Sequence, residues 1–95
     1  MGEGGTWKEK LRQQMSRNPE PVPGMPLVEI GGYRRVLIEN HQGVCCYGTE
    51  LIRIRVNYGE ISVTGRSLSL ARMSREAVVI TGIIHCVSLH REVEP

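Results

Sequence analysis

Three histidines, His41, His85 and His90, and three cysteines, Cys45, Cys46 and Cys86, carry the donor atoms that a zinc ion takes. None of them stands at the paired spacings of structural zinc sites. Cys45 and Cys46 are adjacent, so on a strand they point to opposite faces, and His85 and Cys86 do the same. The arrangement left is a cross-strand one in which His41, Cys46 and His85 converge, which would make a metal- or small-ligand-binding regulatory domain. The main expectation is that the chain holds no metal and no cofactor. An odd number of cysteines behind an N-terminus, MGEGGTWKEK, with no apolar leader argues against a disulfide framework, and the cysteines read as buried small hydrophobes.

Other chemistry is equally thin. The chain has ten Glu and no Asp, so any acid–base pair would be built from glutamates, and the most interior of these, Glu39 and Glu50, fall at solvated strand positions. The glycines are dispersed rather than clustered ahead of a helix, which gives no phosphate-binding loop. Arg53 and Arg55 share one strand face and form the one basic stripe, suited to a carboxylate or phosphate surface or to blunting a sheet edge. A net charge of +2 gives no electrostatic case for nucleic acid. No apolar run approaches the roughly 20 residues of a membrane span, so direct membrane insertion is not expected. These residues point to a non-enzyme of the cytoplasm.

The elements that would position these side chains follow from pattern. Gly31, Gly48, Gly65 and Gly82 recur every 17 residues, each with an apolar residue four places earlier: Leu27, Val44, Ile61 and Val78. A fixed short period marks one supersecondary unit used repeatedly, here strand, glycine-marked bend, strand and polar turn. Val, Ile and Leu dominate the apolar content and favour pleated, half-buried surface. Eight short strands are expected, over about 27–31, 34–39, 43–47, 50–56, 60–64, 67–71, 77–81 and 83–90. Hairpin-length turns such as Asn57-Tyr58-Gly59 favour a small antiparallel β-sandwich; the alternative is a β-solenoid of four 17-residue rungs. In Ile52-Arg53-Ile54-Arg55-Val56 and Ile61-Ser62-Val63-Thr64 the aliphatic residues should face inward and the others water. Ala77-Val78-Val79-Ile80 and Ile83-Ile84 are apolar on both faces, so something should cover the second one.

Ahead of the β-domain at 27–90, residues 1–26 divide into a helix and a linker, and 91–95 form a tail. Thr6 and Glu9 form a capping box, and Trp7, Leu11 and Met15 follow at four-residue spacing, which predicts an amphipathic helix over about 6–16. Its one apolar stripe must dock on the β-domain or on another protein, because a helix of this length is marginal alone. Pro19, Pro21, Pro23 and Pro26 then make an extended linker. Trp7, Arg53, Arg55 and Ile84 are the candidate interaction surface.

The pieces Leu37-Ile38-Glu39-Asn40-His41-Gln42-Gly43-Val44, Ile52-Arg53-Ile54, Gly59-Glu60-Ile61, Gly65 and Glu76-Ala77-Val78-Val79-Ile80-Thr81-Gly82-Ile83-Ile84, in this order, resemble the YabP/YqfC family of sporulation proteins over about residues 26–90. The Ile-Glu-Asn-His-x-Gly core is similar to its YqfC branch. The chain departs from the family in carrying Cys46, not an acidic residue, before Tyr47, and in a proline-rich N-terminal region. The resemblance implies an immunoglobulin-like β-sandwich without catalytic residues, made in the mother cell during endospore formation. It also makes the membrane-associated sporulation protein YqfD the leading partner. With the missing chemistry and the doubly apolar last unit, this points to a structural or adaptor role docked at the forespore membrane, a homo-oligomer being a further candidate assembly.

Overall fold

The computed structural model describes residues 23–92, which form six β-strands. They are β1 (Leu27–Gly31), β2 (Arg35–Glu39), β3 (His41–Tyr47), β4 (Leu51–Val56), β5 (Gly59–Met73) and β6 (Ala77–Arg91). The all-β expectation holds. The helix expected over 6–16, and Trp7 with it, lies outside the described residues.

Alternation does what it predicts in the centre of the sheet. Ile52, Ile54 and Val56 of β4 and Ile61 and Val63 of β5 are buried, while Arg53 and Arg55 between them are exposed. Val36 and Ile38 of β2, Val78, Ile80 and Ile84 of β6 and Leu68 of β5 complete one continuous core. Each fully buried aliphatic side chain contributes about 1.5–3 kcal/mol relative to an exposed one.

Every pairing is antiparallel, and the strand order is β1-β2-β6-β5-β4-β3. The eight expected strands are therefore six. The segments read as 60–64 and 67–71 are one strand, β5, and those read as 77–81 and 83–90 are one strand, β6. The breaks between them are bulges, not turns: the β5–β6 register shifts between Thr64 and Gly65, between Arg66 and Ser69, and between Leu70 and Arg72. A bulge bends a strand and adds a residue without ending its ladder. Hydrogen bonding consequently continues through the hairpin, and one open sheet replaces the expected two-sheet sandwich. Antiparallel pairing throughout likewise replaces the parallel rungs a solenoid would need.

The 17-residue glycine register is not a structural repeat. A Cβ on Gly65 would overlap the Ile83 carbonyl, and Gly82, at φ 138°, would place one 2.6 Å from the Ser67 oxygen. These two glycines lie where β5 and β6 bend together. Gly31 and Gly48 end other strands and meet no such crowding, their closest atoms lying at 4.0 and 3.4 Å.

Connectivity shows how strongly the sheet bends. Asn40 alone joins β2 to β3, so Glu39 and His41 are at most about 7 Å apart. In a flat sheet β2 and β3, four positions apart in the strand order, would be separated by roughly 19 Å. The sheet must fold over on itself at the β5–β6 bulges, which is why β2 and β4, never paired, bury their isoleucines in the same core.

Candidate interaction surface

The residues with metal-binding donors are not brought together. His41 opens β3; its Nδ1 accepts the Gly43 backbone N–H at 2.9 Å and its Nε2 donates to the Ser74 carbonyl at 2.8 Å. These partners set the tautomer and engage both ring nitrogens. Asn40, in the left-handed region at φ 65°, donates its backbone N–H to Glu76 O at 2.8 Å and its Nδ2 to Met25 O at 3.0 Å. Ser74 in turn closes the β5–β6 turn, its Oγ accepting from the Ala77 amide at 3.0 Å. The Asn40-His41-Gln42-Gly43 stretch, which falls between the strands expected over 34–39 and 43–47, is thus a one-residue corner followed by strand, with Asn40 and His41 tying that corner to the β5–β6 turn.

Cys46 lies on the β3 edge opposite Arg53, while His85 sits on β6 at the bulge, on the other side of β4 and β5. The converging His41, Cys46 and His85 site does not form, and among the described residues no group of three or more His, Cys, Asp or Glu could hold a metal ion. The cysteines are not buried either: Cys45 and Cys86 are exposed and Cys46 is half-buried. Cys45 and Cys86 fall on outward or edge positions of strands, where their thiols meet the Arg53 carbonyl and the Ser88 hydroxyl.

Arg53 and Arg55 occupy the outward face of β4, as alternation predicts. Arg55 is not an unengaged cation: its guanidinium lies 3.5 Å from Glu60 and 3.8 Å from Glu92. The Glu92 pair is solvent-exposed and the Glu60 pair partly so, and each is worth on the order of 1 kcal/mol or less. Arg53 lines a shallow depression of about 230 Å³ with Glu60, Ser62 and His90. Carboxylates therefore balance the stripe. Ser62, expected to face water, is buried on this face between Arg53 and Ser88 in the cross-strand row.

Ile84, expected on the interaction surface, is only 7% exposed and belongs to the core. Its neighbour Ile83 is the outward residue of the pair, at 43% exposure. The inward positions of β6 run Val78, Ile80, Ile84, and then, because the register takes an extra residue at His85, Val87. The extra residue falls after the pair, so Ile84 stays in phase with Val78 and Ile80 while Ile83 meets solvent.

Beside Ile83 the chain holds an aromatic in water. The β1–β2 turn is closed by the Arg34 N–H donating to the Gly31 carbonyl at 3.0 Å, with Tyr33 at φ 62° and 81% exposed. The Tyr33 and Arg34 carbonyls accept the amides of Ile84 and Gly82 at 2.8 and 3.2 Å, so the turn is stitched to the bend of β6. Arg66 is the register partner of Ile83, Arg34 and Arg35 flank the turn, and Ile30 is exposed on the adjoining edge strand. Exposed Tyr, Arg and aliphatic side chains on a fixed backbone are the composition of protein-interface centres. Tyr33 was legible: an aromatic following Gly31-Gly32 in a tight turn has no core to enter. Ile83 was not, because a strand broken at Gly82 loses the alternation that in fact runs from Val78 through Ile80 to Ile84.

Among the described residues no helix is long and apolar enough to cross a membrane. No solved structure matches the chain. It is 21% identical over 87 residues, 87% of this chain and 94% of its counterpart, to a Bacillus subtilis (strain 168) protein described as the uncharacterized protein YqfC. The model of the YabP family matches residues 26–94, which takes in all six strands, the Asn40 corner and the Tyr33 turn, and the chain belongs to the YabP family.

Proposed function

We propose that this protein is a non-catalytic assembly or adaptor factor of endospore formation. It acts in the cytoplasm of the mother cell, docking on a protein partner at the forespore membrane. The sporulation setting rests on the family, and YqfD, which the resemblance pairs with YqfC-type proteins, is the leading partner. The observation that carries the docking role is the Tyr33–Ile83 corner. A large aromatic and an isoleucine are held in water by two backbone hydrogen bonds to β6, with arginines around them. Pre-organised anchors of this kind lose little conformational entropy on binding, which lets a small surface bind well.

The test is capture of the partner by tagged protein in sporulating cells. Tyr33→Ser with Ile83→Ser should abolish co-purification of YqfD and lower spore yield while the purified variant keeps its thermal stability, since both side chains are exposed. Undiminished capture by this stable variant would sink the proposal. Arg53→Ala serves as the contrast and should leave capture close to normal.

A further inference from the structure

The core is open at the end of the sheet where β6 finishes. Leu89 is the register partner of the fully buried Ile61 and shares its face, yet it is 73% exposed. With Met25, Pro26, Val56 and Tyr58 it lines an apolar groove of about 270 Å³, rimmed by Glu60, His90 and Arg91. Two of the lining residues, Met25 and Pro26, are among the first described residues of the chain. Gly24, at φ 81°, turns the backbone immediately before them against Asn57 of the β4–β5 turn. Residues 1–22 therefore join the domain at the groove itself.

That preceding sequence carries three apolar residues, Trp7, Leu11 and Met15, at the spacing of one helix face. A proline-rich stretch as long as 16–24 can span at most about 28 Å. That is ample for the stripe to fold back over a groove that begins at Met25. We propose that residues 6–16 dock in cis on this groove, Trp7, Leu11 and Met15 closing the open end of the core over Val56, Tyr58 and Leu89. The attachment point, the reach and the apolar match all favour this segment over a second copy of the chain.

Trp7 is the single tryptophan of the protein, so its fluorescence reports the docking directly. In the full chain its emission should be blue-shifted and protected from acrylamide at every protein concentration, with the protein sedimenting as a monomer. Leu89→Glu, at an exposed position, should keep the melting temperature of the β-domain but lose both the blue shift and the protection; Leu89→Met should keep them. Three results would overturn the proposal: an exposed Trp7 in the wild type, protection that persists in Leu89→Glu, or protection that rises with concentration alongside dimer formation. The last would hand the groove to a second copy.

Discussion

At the scale of single residues, Asn40 and His41 give the Ile-Glu-Asn-His-Gln-Gly stretch a structural task, holding the corner between β2 and β3. Asn tolerates the left-handed backbone of the corner better than other non-glycine residues, and its side chain and amide reach Met25 and Glu76. His41→Ala removes the bonds to Gly43 and Ser74 and should cost about 1–2 kcal/mol in urea unfolding. Asn40→Ala should cost at least as much, from left-handed strain together with the lost bond to Met25, with Asn40→Gly recovering the strain. If His41→Ala stayed at wild-type stability but sporulation failed, the histidine would have a role beyond the corner. The isoleucine pair gives a second contrast. Ile84→Ala should lose about 2–4 kcal/mol by opening a core cavity, whereas Ile83→Ala, at a half-exposed site, should stay within about 1 kcal/mol of wild type. Equal losses would contradict the assigned faces.

At the scale of elements, the long β5–β6 hairpin is what the sequence half concealed. Its four apolar segments were legible from alternation, and their boundaries fall where the structure bends. What alternation cannot show is whether a glycine between two strand-like segments ends the ladder or only bulges it, because both outcomes need the same permissive residue. That single ambiguity turned six strands into eight, and it also put Ile84 on the wrong side. The Arg53 and Arg55 face was read correctly, since β4 carries no shift toward β5. A glycine series tests the distinction. Gly65→Ala and Gly82→Ala force a methyl into the facing strand's backbone and should each cost at least about 2 kcal/mol, with expression falling accordingly. Gly31→Ala, with open space around it, should change stability by less than about 1 kcal/mol. Uniform effects along the register would restore the repeat.

At the scale of the whole molecule, β5 and β6 serve both halves of the bent sheet, β6 pairing with β2 and β5 with β4. Neither half can open without breaking the strands that hold the other, so unfolding should be one cooperative event. Far-UV circular dichroism and hydrogen exchange of the β2 and β4 amides should give a single midpoint in urea. Separate midpoints would mean that the halves are independent. The docking corner at Tyr33 and the apolar groove at Leu89 sit at different places along β6, at its bend and at its end. One strand thus links the surface proposed for a partner with the groove proposed for the chain's own beginning.

The strand order also has a consequence for the ribosome. β2 has β6 as its inner neighbour, and β4 has β5, so each early strand waits for a late one. As the nascent chain emerges, Val36, Ile38, Ile52 and Ile54 have only Val28 and Val44 to pack against until β5 and β6 follow. Domains usually settle from the N-terminus as they are synthesised; this one completes its core only once β6 has emerged. For that interval its isoleucine-rich strands are exposed, and their supply of ready partners, chaperone or neighbouring nascent chain, is set by how quickly the final hairpin is translated.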